Sequence, residues 1–300
     1  MQTLVVLCLV LQNCGLVLVT KYSYRDGARP YNTSSVILAG EVVKLVVCCL
    51  IETCRGRSKL QDVPVPLHTK SMLFVPATLY VIQNNLQFFA IKGLSSGVFI
   101  VCSQLKIASS AVFSAIILKR QTSKRQSLAV VLLMIGVAVV QLGGTSVEHA
   151  FAEQNETRAF LALLIAVTTS GLAGAMLEAT FKRKDSSIWQ KNFFLSLFSV
   201  PFAALTAINS IPVNESLVSL VDLFHAELVI IILLQAVGGL LTAAVMKYAG
   251  VVSKCFAVSL STVICTVVGQ IMGEDNLQRA TVVGAVLVNA AVVLFFLKRP

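Results

Sequence analysis

Ten stretches of the chain are apolar runs of bilayer-crossing length joined by short polar connections: residues 4–20, 34–51, 72–91, 97–118, 126–142, 159–178, 192–208, 227–246, 252–272 and 280–297. An α-helix needs about 20 predominantly apolar residues to cross the hydrocarbon layer, so the pattern predicts an all-α membrane protein of ten transmembrane helices. The first run starts almost at Met1, and as a cleaved signal it would leave nine spans. No basic segment precedes it, and Gln12 and Asn13 interrupt its core, so it reads as a span. No connection could hold a soluble domain of useful size. That excludes enzymatic chemistry in a separate domain and leaves one transmembrane domain over residues 1–300, with half-repeats near 1–145 and 146–300.

Composition agrees, with 56% hydrophobic residues, 13% charged and a mean hydropathy of +0.84. A formal net charge of +10 could indicate a nucleic-acid partner, but its distribution argues otherwise. With ten helices both termini share one side, and that side carries fifteen Lys and Arg against six on the other. Positive charge near helix ends is retained in the cytosol. Both termini are therefore expected to be cytosolic, and the excess charge is spent on topology rather than on nucleic acid. The glycosylation sequons at Asn32, Asn155 and Asn214 all fall in loops on the opposite side. The eight cysteines lie within or beside apolar helices with no CxxC spacing, and read as small core residues rather than a metal or disulfide set. No metal and no cofactor is called for.

Two cations break the apolar pattern. Lys106 lies inside "IVCSQLKIASSAVFSAIIL", and Lys254 opens "VVSKCFAVSLSTVICTV", 148 residues later. At the same offset Gly136 maps on Gly284 and Lys44 on Asn192, and helices one to five map on six to ten. An odd number of helices per half makes the halves inverted, an architecture of secondary transporters whose substrate site lies between the repeats. A charge within a span costs about 2.5–3.5 kcal/mol on insertion scales and marks a ligand or ion path. Two repeat-related lysines point to one anion held between the halves.

Residues three, four and seven apart share a helix face. Ser103, Lys106, Ser110 and Ser114 form one stripe on the fourth helix, and Tyr80, Gln83, Asn84 and Gln87 another on the third. The serines either bond back to their own helix or line the path. Glu41 and Lys44, three apart on the second helix, form either an intrahelical ion pair or part of the anion site. Gly171 with Gly174, and Gly238 with Gly239, read as close helix packing. Two ammonium groups suit a phosphate monoester or diphosphate, and nearby amides and a tyrosine suit a base and ribose. The residues alone lead to an organic-anion transporter for a phosphorylated solute, with no Walker loop for ATP hydrolysis.

At these residues the chain resembles a known family. "GEVVKL", "LYVIQNNLQFFAI", "SQLKIASSAVFSAIILKRQTSKRQ", "SGLAGAMLE" and "VGGLLTAAVMKYAGVVSKCFA" look like the signature stretches of Golgi nucleotide-sugar transporters, in the branch handling CMP-sialic acid, UDP-galactose and UDP-N-acetylglucosamine. The resemblance covers nearly the whole chain. It implies the ten-helix fold of the drug/metabolite transporter superfamily, residence in the Golgi or ER membrane, and exchange of cytosolic nucleotide sugar for lumenal nucleoside monophosphate. It implies that Tyr80 and Asn84 contact the nucleotide, that Lys106 and Lys254 bind phosphate, and that Glu41 and Lys44 lie near the sugar. Ser170 and Asn192 match positions near the pocket. The family often has Tyr where Ser103 stands and Gln where Phe194 stands, and Gly250 departs from its motif as well. The expectation is a UDP-sugar antiporter, with a CMP-sialic acid type or a carrier of another phosphorylated solute as alternatives, and a homo-oligomer left open.

Overall fold

A computed structural model describes residues 2–25, 33–56, 66–94, 99, 102–119, 123–142, 154–210, 226–271 and 279–296. Among the described residues there are ten helices and no strand: α1 (Gln2–Arg25), α2 (Thr33–Gly56), α3 (Leu67–Gly93), α4 (Leu105–Ile117), α5 (Lys124–Leu142), α6 (Gln154–Lys182), α7 (Ile188–Ser210), α8 (Ala226–Tyr248), α9 (Val251–Ile271) and α10 (Arg279–Phe296). Each matches one of the ten apolar stretches. The fourth differs in extent: the stretch 97–118 holds a helix from Leu105, preceded by a turn at Gln104. Six helices are long and apolar enough over their described residues to cross a membrane, and α4 and α10 contribute shorter apolar segments. Outward faces are apolar, with Leu11 72%, Ile208 68% and Ile116 64% exposed, as a lipid-facing surface requires. The sequons at Asn32 and Asn214 lie outside the described residues, as does the side chain of Asn155.

Several hydroxyl and amide donors on these helices are satisfied by their own helix, which is what an apolar solvent favours. Thr168 donates to the Leu164 carbonyl at 2.8 Å, Thr262 to Val258 at 3.0 Å and Asn289 to Ala285 at 2.9 Å. Two helices begin with reciprocal capping boxes. Ser123 and Gln126 exchange backbone and side-chain bonds before α5, and Ser187 and Gln190 do the same at α7. Pro76 lies inside α3 and Pro201 inside α7, where each removes one ladder bond.

The chain divides into two compact units that do not follow its two halves. The first comprises residues 1–77 and 180–248. In it α2 packs on α7, and α1 and α2 on α8, around Val36, Leu228, Ile231 and Ile232. Its connection between α6 and α7 is tied down by polar contacts. Lys191, 1% exposed, donates to the Thr180 and Arg183 carbonyls at 2.8 and 2.7 Å, capping the end of α6, and pairs with Asp185 at 2.9 Å. Asp185 also accepts from Thr69, while Ser187 donates to Glu52 at 2.6 Å.

The second unit comprises residues 78–179 and 249–300. Here α5 packs along α10, and α9 contacts α4, α5 and α10. Ile107, Leu133, Phe256, Val263 and Val288 form its main core, with Phe256 stacked on Phe295 at a centroid distance of 4.3 Å. Ala90 of α3 packs with Leu163 and Val167 of α6. Gly171 lets α6 approach α4 closely: a Cβ there would stand 2.6 Å from the Ser109 backbone carbonyl carbon.

Candidate functional site

Lys106 and Lys254 line one cavity of about 290 Å³ within the second unit. Both stand in the first turn of a helix, Lys106 on α4 and Lys254 on α9. The helix starts themselves add little to the two ammonium charges: the Val251 N–H at the start of α9 is taken by the Glu178 carboxyl, and α4 follows the helical residues Cys102 and Ser103. Among the described residues no carboxylate lines the cavity, and neither lysine has a side-chain ion pair or hydrogen bond. The cavity therefore has a strong positive field.

Its walls are polar at intervals. Tyr80, Gln83 and Gln87 reach it from one face of α3, at the spacing that makes them neighbours. The Gln83 amide oxygen is buried with no hydrogen-bond partner, which leaves an acceptor open on a residue that lines the cavity. Ser110 of α4, Ser170 and Gly174 of α6, and Ser259 and Thr262 of α9 add small polar groups, while Ile107, Val137 and Val258 supply apolar surface. Gln104 stands at the start of α4 without capping it through its side chain, which lines the cavity.

Of the residues singled out in the sequence, the structure thus brings Tyr80, Lys106, Ser110, Ser170 and Lys254 together. Ser103 is half-buried ahead of α4 and does not line the cavity, and the Asn84 side chain lies outside the described residues. Glu41, Lys44 and Asn192 belong to the first unit. There Lys44 donates to Glu41 at 2.7 Å, and both alternatives for this pair persist, because the second Glu41 oxygen is buried without a partner. Gly239 of α8 faces Lys44, with a Cβ position 3.2 Å from Nζ. Asn192 is 2% exposed; its amide nitrogen donates to Ile188 at 2.9 Å, and its oxygen has no partner.

One group went unread in the sequence. Glu178 of α6 is 1% exposed and accepts at 2.9 Å from both the Ser114 hydroxyl of α4 and the backbone N–H of Val251, the first residue of α9. It thereby holds the starting turn of α9, and with it Lys254, against α4 and α6. This resolves the role of Ser114, which bonds across helices instead of lining the path. Gln104, Ser259 and Thr262 also escaped notice, and only the adjacency of Gln104 to Lys106 in "SQLK" could have signalled one of them.

Comparison with known proteins adds an independent line. A family model described as nucleotide-sugar transporter matches residues 1–296. The UDP-galactose translocators of Mus musculus and Homo sapiens are each 34% identical over 306 residues, covering 97% of this chain and 77% and 76% of their own lengths. A UDP-N-acetylglucosamine transporter of Rattus norvegicus is 32% identical over 305 residues, covering 96% of this chain and 92% of its own. A solved crystal structure superposes with a TM-score of 0.73 at 16% identity, over 99% of this chain and 96% of that one, a likeness of fold.

Proposed function

This chain belongs to the nucleotide-sugar transporter family, and on that premise we propose that it is a membrane antiporter exchanging a cytosolic UDP-sugar, of the UDP-galactose or UDP-N-acetylglucosamine type, for a lumenal nucleoside monophosphate. The observation that carries the reading is the pair Lys106 and Lys254 in one cavity without a lining carboxylate. In this reading the two ammonium groups hold the phosphates. Tyr80, Gln83 and Gln87 present a ring and amides to the nucleoside, with Asn84 assigned beside them by resemblance. Ser110 and Ser170 supply further hydrogen bonds. A volume of about 290 Å³ falls at the lower edge of ligand pockets, which start near ~300 Å³, and suits the nucleoside phosphate shared by both solutes. By resemblance alone, Glu41 and Lys44 are assigned near the sugar and Asn192 to a position near the pocket.

The shared nucleotide gives the coupling its physical basis. Either solute can favour the transition between inward and outward states only through interactions it makes in the site, and both make the phosphate and base interactions. A carrier that changes sides only when loaded exchanges one solute for the other.

The architecture in this reading is ten spans in two inverted five-helix repeats. It is supported by the packing of α2 on α7, α4 on α9 and α5 on α10, each a pair of repeat mates. The α1–α8 contact and the α3–α6 contact are likewise equivalents under the repeat. The charge distribution supports cytosolic termini, and the family supports a Golgi membrane, or the ER. The test is transport by the purified protein in liposomes preloaded with UMP, CMP, GMP or AMP and offered labelled UDP- and CMP-sugars. UDP-sugar uptake stimulated by internal UMP is expected. Preference for CMP-sugars, or for a solute outside the nucleotide sugars, would replace the substrate assignment.

A further inference from the structure

Asn289 lies near the middle of α10, within its apolar segment Val282–Phe295, and its side chain is exposed. The other exposed amide among the described side chains, Gln2, stands at a helix end and donates to the Tyr248 carbonyl at 2.7 Å. Hydroxyls on outward faces place their single donor on their own helix, as Thr168 does on Leu164 at 2.8 Å and Thr206 on Ala203 at 2.9 Å. A carboxamide cannot be satisfied this way in full, because it carries two N–H donors and an acceptor oxygen. One Asn289 N–H goes to the Ala285 carbonyl at 2.9 Å, and no described residue takes the other or donates to the oxygen. Lipid tails offer neither, and an open amide facing hydrocarbon is costly.

The neighbours of Asn289 are arranged for a helix partner. Val282, Val286, Asn289 and Val293 stand four, three and four positions apart, and the three valines are 46%, 63% and 59% exposed. That alternation is the seam of a left-handed helix pair, in which β-branched residues favour two strands and one polar amide fixes the register. The opposite face of α10, with Val288 and Ala291 fully buried, is used up in the core with α5 and α9.

We propose that a second copy of this chain covers the seam, α10 pairing in parallel with its mate about a two-fold axis along the membrane normal, Asn289 against Asn289. Copies inserted alike carry this residue at the same depth. An amide holds both a donor and an acceptor, so a two-fold lets the open N–H of each Asn289 donate to the oxygen of the other. Both leftover groups are then satisfied at once, in the manner of the polar residues that join membrane helices. Lipid cannot supply this, and neither can an apolar helix. The pairing needs no substrate and is independent of the transport assignment.

The test uses the full-length protein, labelled with a donor or an acceptor fluorophore, in phosphatidylcholine bilayers, with energy transfer followed as the protein is diluted in lipid. We expect a saturable dimer whose dissociation constant rises about tenfold in Asn289→Val. Ile116→Val, on the exposed face of α4, should leave it unchanged. Crosslinking gives a second measure that keeps Asn289 intact: under mild oxidation Val286→Cys should add a disulfide-linked dimer above the wild-type background, and Ile116→Cys should not. A protein that is monomeric at every dilution, or a dimer as strong in Asn289→Val as in wild type, would overturn the pairing. So would failure of Val286→Cys to crosslink more than Ile116→Cys.

Discussion

The buried Glu178 side chain accepts a hydrogen bond of 2.9 Å from the Ser114 hydroxyl, and the same oxygen takes the Val251 backbone N–H at 2.9 Å. One carboxyl group therefore joins α6 to α4 and to the first residue of α9, four positions before Cys255 and three before Lys254. Removing it by Glu178→Ala leaves two buried donors unsatisfied, at a cost of ~2–4 kcal/mol. Glu178→Gln keeps one acceptor oxygen and should lose only ~1 kcal/mol. Thermal unfolding in detergent should order the variants as wild type, Gln, Ala. A fully stable Ala variant would contradict the role assigned to this carboxyl.

Gly250 enforces the same arrangement from the backbone. It has a φ of +96°, and a Cβ at its position would stand 2.6 Å from the Glu178 carboxyl oxygen. Gly250→Ala must strain the two-residue turn between α8 and α9, by about 1–2 kcal/mol, and displace Glu178 as well. We expect lower thermal stability together with weaker nucleotide binding, because Lys254 rides on the displaced turn. The coupling is checked by combining Gly250→Ala with Glu178→Ala: the double variant should lose less stability than the sum of the singles.

Asp185 carries a pH dependence. Burial raises its carboxyl, but hydrogen bonds from Thr69 and Lys191 and the Lys191 charge outweigh that effect and hold it at about 2, below its ordinary 3.8. A depressed folded-state value means that the contribution is full above the unfolded value and fades as pH falls through the folded one. The Tm advantage of wild type over Asp185→Asn should accordingly be constant from neutrality down to about pH 4 and shrink toward pH 2. At neutral pH the variant leaves the buried Lys191 without its counter-ion, a loss of ~2–3 kcal/mol. A Tm difference that did not change with pH would remove Asp185 from this role.

Ten apolar runs were legible in the sequence from their length and hydropathy, and each coincides with a described helix, six of which are long and apolar enough to cross a membrane. Lys106 and Lys254 stood out as ammonium groups within such runs, and the structure places both on one cavity. Glu178 did not stand out. It stands four residues before Lys182, near the end of its apolar run, where an acid reads as an ordinary interfacial charge. Its partners are a serine 64 residues away and a backbone N–H, which has no side-chain signature. The serines stayed ambiguous because bonding back to the helix and facing a ligand follow the same spacing; Ser110 and Ser114 took different courses on one face of α4.

The most direct test of the two-lysine anion site is exchange by Lys106→Ala and Lys254→Ala in liposomes preloaded with UMP, measured as uptake of labelled UDP-sugar. Each substitution removes one of two desolvated charges facing the phosphates, worth about 2–5 kcal/mol and thus a loss of roughly thirtyfold or more. Insertion and thermal stability should be unimpaired, since neither ammonium pairs with a described residue. The account predicts loss of exchange in both variants with the folded protein retained. Wild-type exchange in either one would contradict it.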